Sequence, residues 1–246
     1  ERFLITERIF PTEKGNNRMK ARKKDVKQCL IYDDTASVMS EAFQRIQVNL
    51  DFASVDEKYK VISCTSASTN EGKTTVLVNL ANVYALKGFK VLIVDLDLRA
   101  PVVHRYFGIP NEKGIVDYLV DKASKEEIVK KGVRENLDVI TRGTRTPFPT
   151  KVLESQRLDD FLKEVRDEYD YIFVDCTPVL LFPDPIIISK FVDAFVLVAS
   201  VRISKKNEIK DAMKMIRSNG LNVVGSVINK VPVKKRDRYY YLSLIH

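Results

Sequence analysis

Between residues 60 and 230 the chain alternates short, uniformly apolar runs with longer stretches whose apolar residues recur at helical spacing. The runs are Val61–Cys64, Val91–Val94, Leu137–Thr141, Tyr171–Val174, Ala194–Ala199 and Val223–Ile228. They are rich in β-branched and aromatic residues and show no apolar/polar alternation, which predicts strands covered on both faces. Helical periodicity over Thr74–Leu86, Leu158–Glu168 and Ser204–Ser218 supplies the covers, and Gly88 stops the first of them. Strands alternating with helices imply an α/β fold with a mostly parallel sheet and helices on both faces. Ligands of such sheets bind at the carboxyl ends of the strands, so functional residues are expected just after strands.

Upstream the pattern is different. Residues 1–34 mix charges with Pro11, Gly15 and two asparagines without a sustained period, and read as a polar basic arm or linker. Thr35 caps an expected helix reaching about Phe52, with Val38, Ala42, Phe43, Ile46 and Leu50 on one face. Residues 35–232 are read as one domain and residues 233–246 as a basic, tyrosine-containing tail.

Composition narrows the classes. The 246 residues are 45% hydrophobic and 30% charged, enough to bury one sizeable core. The net charge of +8 is concentrated in Lys20–Lys27 and Lys234–Arg238. Aromatics do not interleave these patches as a base-stacking platform requires, so no nucleic-acid partner is expected and solvated faces are the plain reading. Cys29, Cys64 and Cys176 are odd in number and far apart, and His104 and His246 are the two histidines, which argues against a disulfide framework or structural zinc. Val192–Val201 is too short for a membrane span and carries Asp193. The chain opens on Glu1 without the succession of a signal peptide, as a fragment of a longer protein would.

Candidate chemistry begins after the first strand. Ala67-Ser68-Thr69-Asn70-Glu71-Gly72-Lys73-Thr74-Thr75 fits GxxxxGK[ST] except that Ala67 stands at the first glycine. This is a phosphate loop opening a helix, which makes the expected fold P-loop NTPase-like. Backbone N–H groups from Ser68 to Thr75 would point at phosphate oxygens at the positive helix end. Lys73 would place its charge on the β- and γ-phosphates of ATP, and the Thr74 hydroxyl would ligate Mg2+. Two further runs deliver carboxylates: Val91–Asp95 followed by Leu96-Asp97-Leu98-Arg99, and Tyr171–Asp175. Asp95 and Asp97 are two apart and share a face if the strand persists, and spacing leaves open which of them is the base. A lone strand-end Asp is as often a helix cap; three matched strand ends favour a site.

With these motifs in this order, residues from about 36 to 241 resemble the bacterial tyrosine kinases of capsule and exopolysaccharide synthesis. The carriers are the phosphate loop, Asp95-Leu96-Asp97-Leu98-Arg99-Ala100-Pro101, Asp175-Cys176-Thr177-Pro178, and a later Asp184. The resemblance implies Mg-ATP as cofactor, Asp175 on magnesium through water, and Asp95 or Asp97 activating an attacking tyrosine hydroxyl, with Asp95 also among the metal-binding positions. It groups Arg99 with the nucleotide-binding residues and puts Asn229 near adenine. It further implies phosphorylation in trans of Tyr239, Tyr240 and Tyr241. A homo-oligomer, an activating membrane polysaccharide co-polymerase, a cognate tyrosine phosphatase and a place on the cytoplasmic side of the plasma membrane follow from the same resemblance. Departures fall at Thr69 and Asn70, where the family usually has proline and glycine. They fall also at Gln44 and Gln47, where it has the arginines that with Glu41 build a ring of subunits. Partition-type switch ATPases share this motif order but carry a lysine five positions before the loop lysine, where this chain has Ser68. A degenerate, non-catalytic regulator is the third reading.

Overall fold

A computed structural model describes residues 5–8, 38–54 and 58–231. The tyrosine run Tyr239–Tyr241, both basic patches and Cys29 lie outside the described residues. Eight strands, β1 (Ile5–Arg8), β2 (Val61–Ser66), β3 (Val91–Asp95), β4 (Val129–Arg134), β5 (Leu137–Ile140), β6 (Tyr171–Asp175), β7 (Ala194–Ser200) and β8 (Val223–Asn229), form one sheet. Its order is β1-β8-β7-β2-β6-β3-β5-β4, and every neighbouring pair is parallel except the β4–β5 edge.

The unbroken apolar runs are explained by two cover layers. Every residue of β2, β3 and β6 is buried, and their side chains alternate between two cores. Ile62, Cys64, Val91, Ile93 and Phe173 meet the helices Val38–Ala53 and Lys73–Leu86. Val61, Leu92, Val94, Ile172 and Val174 meet the helices Gln156–Glu168 and Lys206–Ser218. The helix Lys73–Leu86 lies between the sheet and Val38–Ala53 and is buried on nearly all sides, which is why its sequence carries so little polar relief. The two helices of the other layer are amphipathic, with Leu158, Phe161, Leu162, Val165, Ala212 and Ile216 inward.

The expected strands and long helices are all present, with ends moved by one to three residues. The differences lie at the margins. Within the segment expected to be an arm, Ile5–Arg8 pairs in parallel with Gly225–Ile228 and extends the sheet by a strand. β4 was not expected, because its burial follows no two-residue alternation. Gly132 takes a left-handed φ of 60° at a register shift there. The helices Val103–Phe107, Ile115–Leu119, Lys125–Ile128, Pro149–Leu153 and Asp184–Ile188 are one turn each, too short to show a period. Gln47 is buried in an internal network, donating to Asp51 and accepting from Lys87, whereas Gln44 is exposed.

Candidate active site

The parallel register sets Asp95 directly opposite Asp175 and Cys64 on the other side of Asp175. β3 and β6 therefore end level with one another, β2 runs two residues further to Ser66, and the loop after it begins just beyond the two carboxylates. The chain turns from β2 into the helix Lys73–Leu86 through Asn70 and Gly72, both left-handed at φ 61° and φ 102°. Asn is among the residues that tolerate this region, so it serves where the resemblance leads one to expect glycine. Gly72 is obligatory for a second reason: a Cβ there would lie 2.0 Å from Asn229 Nδ2.

The loop is held from behind by residues distant in sequence. Asn229 Nδ2 donates to the Glu71 carbonyl at 3.0 Å and Lys230 Nζ to the Asn70 carbonyl at 2.6 Å. The Glu71 carboxylate is fully buried; it accepts from Ser68 N at 2.8 Å and from the Ser204 hydroxyl. Ser66 Oγ donates to the Ser68 carbonyl at 2.7 Å. Glu71 is thus a brace for the loop, and Asn229 touches the loop's backbone through its amide.

At the helix entrance Thr74 Oγ1 donates to Asp175 Oδ2 at 2.7 Å. Asp95 Oδ2 accepts from Val103 N at 3.3 Å. The remaining oxygens, Asp95 Oδ1 and Asp175 Oδ1, are buried without a hydrogen-bond partner. Burial first, and then the negative charge of Asp175 and Asp97, push the Asp95 carboxyl well above the usual range. Burial pushes Asp175 up to about 7, against the opposing charge of Lys73 and the Thr74 hydrogen bond. Two buried carboxylates side by side, each with an orphaned oxygen, are a place that calls for a cation or a proton.

β3 ends at Asp95, so Asp95 and Asp97 do not share a strand face. Asp95 is fully buried beneath the site; Asp97, 7% exposed, turns toward the open space and accepts from Ala100 N at 2.9 Å. That space is a cavity of about 390 Å³ bordered by Thr69, Asn70, Gly72, Lys73, Thr74, Thr75, Asp97 and Arg99. Of the candidates, Ser68, Glu71, Asp95, Asp175 and Asn229 lie behind or below its wall rather than on it.

Arg99 borders the cavity but its guanidinium is engaged elsewhere. It makes a bidentate pair with the buried Asp184, at 2.9 Å from Nε and 3.1 Å from a terminal nitrogen, and it donates to Thr150 Oγ1 at 3.2 Å. It also lies 4.4 Å over the Phe182 ring. The pair ties the loop after β3 to the loop after β6, where Thr177 Oγ1 donates to Asp184 at 3.3 Å. Sequence reasoning missed Tyr106, Phe182 and Lys230, which border the cavity, and Ser204, which braces Glu71. Tyr106 meets Thr75 through a hydroxyl pair at 2.6 Å. Lys230 had one local signal, its place directly after Asn229; the others are brought in by turns with no sequence signature.

A doubly covered parallel sheet, a left-handed loop running into a buried helix, and Lys73 and Thr74 facing strand-end aspartates define a nucleotide-binding domain of the P-loop class. The profile of the AAA domain family matches residues 59–190. The putative tyrosine-protein kinase CapB of Staphylococcus aureus is 31% identical over 91% of this chain and 98% of its own length. Tyrosine-protein kinase YwqD of Bacillus subtilis is 35% identical over 83% of this chain and 86% of its own. Among solved structures, the kinase domain of the Escherichia coli tyrosine kinase ETK superposes with a TM-score of 0.85 at 29% identity, covering 93% of this chain and 90% of that domain. The septum site-determining protein MinD of Pyrococcus horikoshii shares the fold, with a TM-score of 0.60.

The chain belongs to the bacterial tyrosine-protein kinase family. Among the described residues no helix is long and apolar enough to cross a membrane.

Proposed function

We propose that this chain transfers the γ-phosphoryl group of Mg-ATP to tyrosine hydroxyls, including Tyr239, Tyr240 and Tyr241 of a neighbouring copy. The observation that carries the reading is the Thr74–Asp175 contact beside two buried carboxylate oxygens that have no partner. Hydroxyl and carboxylate are hard oxygen donors, the set that suits magnesium. Thr74, Asp175 and, below them, Asp95 would hold it, and bound there magnesium would offset charge on the transferring phosphoryl group.

The chain's own residues supply the rest. The loop from Ser68 to Thr75 orients the phosphates through its amides, and Lys73 adds a charge where phosphoryl charge develops. Asp97 is the residue we assign as base, because it faces the cavity whereas Asp95 is sealed beneath it. The tyrosine oxygen attacks phosphorus, its proton passes to the Asp97 carboxylate, the bond to the β-phosphate oxygen breaks, and ADP leaves. Asn229 acts by holding the loop, and Arg99 by holding the two aspartate-bearing turns together.

Residues 35–232 are the kinase domain on this reading, and residues 233–246 the acceptor tail. The co-polymerase activator, the opposing phosphatase, the homo-oligomer and a role in capsule or exopolysaccharide synthesis belong to the same proposal; the last of these draws support from a relative named as the putative tyrosine-protein kinase of the Klebsiella pneumoniae cps region. The test is mass spectrometry after incubation with Mg-ATP, with Lys73→Met as control. Phosphate on Tyr239–Tyr241 that is absent from the control supports the proposal. ATP hydrolysis without phosphotyrosine overturns it in favour of a switch ATPase.

A further inference from the structure

Beside the nucleotide cavity lies a second cleft of about 530 Å³, bordered by Leu98, Arg99, Arg145, Pro147, Pro149 and Phe182. Arg99 and Phe182 border both spaces, so the cleft continues from the wall of the cavity that Asp97 faces. Two cations stand at it, and they are not equivalent. The charge of Arg99 is matched by Asp184, and its guanidinium carbon lies over the Phe182 ring. Arg145 is exposed and has no hydrogen-bond or ion-pair partner among the described residues. The cleft therefore offers flat apolar surface from two prolines and an aromatic ring, together with one uncompensated guanidinium. Such surface suits a phenol ring, and a free guanidinium suits a carboxylate or phosphate in bidentate geometry. The size falls in the range of pockets that hold a small ligand or an inserted side chain.

We infer that this cleft seats the acceptor tyrosine of an incoming segment, and that Arg145 selects segments carrying an anionic side chain next to that tyrosine. The inference rests on the kinase reading and adds a substrate preference to it. Charge complementarity and continuity with the nucleotide cavity name the occupant. It has a consequence for the chain's own tail. Lys234, Lys235, Arg236 and Arg238 outnumber Asp237 ahead of the tyrosine run, so the unmodified tail offers Arg145 mostly like charge. One phosphotyrosine supplies an anion beside the next acceptor. The first transfer to the run is then the slow one, and later transfers outpace it.

The test uses the full chain and two labelled peptides, one with the tyrosine flanked by glutamates and one by glutamines. Binding is followed by fluorescence anisotropy with magnesium and a non-hydrolysable ATP analogue, and transfer by phosphotyrosine formation from Mg-ATP. The glutamate peptide is expected to bind about five-fold more tightly and to show a correspondingly lower KM, as one partly exposed charge pair permits. Arg145→Ala removes that preference while nucleotide affinity and the glutamine peptide are unchanged, and Arg145→Lys restores part of it. Transfer to both peptides at equal KM, or a preference that survives Arg145→Ala, overturns the cleft assignment and leaves the kinase standing. Glutamate-selective binding that depends on Arg145 without any phosphate transfer keeps the selectivity and overturns the kinase reading instead.

Discussion

The two ends of the sheet are built on opposite terms. At the amino ends of β3 and β6, Tyr84 packs against Tyr171 at 4.3 Å, Phe173 at 5.5 Å and Phe89 at 6.1 Å between ring centroids. Its hydroxyl donates to Asp51 at 2.9 Å, and Asp51 accepts in turn from Gln47, which itself accepts from Lys87. Tyr84, Tyr171 and Phe173 are closed off from solvent, although Phe89 and Leu86 stay exposed at the rim, and the hydroxyl, carboxylate and amide of this cluster are partnered. At the carboxyl ends the same strands deliver Asp95 and Asp175 into burial with orphaned oxygens, beside a loop with two left-handed residues in succession but one. Each of those features costs stability, and the far end must supply it. A fold that satisfies its rules at one end and breaks them at the other marks the second as the working end. Four substitutions test that division.

The largest effect belongs to Lys73→Met. Lys73 is the cation aimed into the cavity, and its charge opposes the rise in the Asp175 pKa. Loss of one preorganised electrostatic contact at a reacting centre costs about 10²–10³-fold in rate. Phosphotyrosine formation should fall by at least that much, with the cooperative unfolding transition retained. Loss of folding in place of activity would mean that Lys73 serves structure, and the contrast between the ends would fail.

Gly72→Ala is next. The φ of 102° is strained for alanine, and the new Cβ would displace the Asn229 amide that holds the Glu71 carbonyl. The expected cost is about 2–3 kcal/mol in chemical denaturation. Nucleotide affinity should fall by at least ten-fold, measured by titration calorimetry. Unchanged affinity at reduced stability would show that the loop tolerates a second geometry.

Asp175→Asn should move stability and activity in opposite directions. Because the folded-state pKa of about 7 is raised above the ordinary value of 3.8, the folded protein keeps its proton while the unfolded chain loses one as pH rises between them. The metal-free protein is therefore penalised progressively from about pH 4 to pH 7 and uniformly above that. Asparagine keeps an acceptor for Thr74 and removes the charge. The variant should match the wild type at pH 4 and be more stable by about 1–2 kcal/mol at pH 8, with phosphate transfer lost. Equal stability at both pH values would show that the buried carboxylate carries no penalty. Asp95 shifts in the same direction for the same reason, so some pH dependence should remain.

Most of the scaffold and part of this site are legible in the chain, for separable physical reasons. β3 and β6 announce themselves because burial on both faces demands unbroken apolar residues, and the aspartates that end them stand out against that background. Lys73 and Thr74 are legible through their spacing in one loop. The braces are not. Ser204 reaches Glu71 across 133 positions and Lys230 reaches Asn70 across 160, contacts that exist because β7 and β8 end next to the loop. Nor can spacing tell Asp97 from Asp95; the strand ends between them, burying one and turning the other to the cavity. Arg99 is the instructive case, since the family resemblance groups it with the nucleotide-binding residues whereas Asp184 has already engaged it.

The smallest effect lies at the far end and tests the comparison most cleanly. Tyr84 is 1% exposed, and Tyr84→Phe removes its hydroxyl while keeping the ring contacts with Tyr171, Phe173 and Phe89. Asp51 loses one donor but keeps Gln47 and some access to water, so no buried charge is stranded. The cost should be that of one ordinary hydrogen bond, about 1 kcal/mol, which is a fall of roughly 2–4 °C in Tm for a domain of this size. Phosphate transfer should be unchanged, because the helix Lys73–Leu86 carries Tyr84 at one end and Lys73 at the other and is packed on nearly every side between them. A Tm shift with wild-type kinetics keeps the two ends independent. A several-fold loss of activity would show that the helix transmits the loosening to Lys73, and that the well-packed end sets the geometry of the strained one rather than merely offsetting its cost.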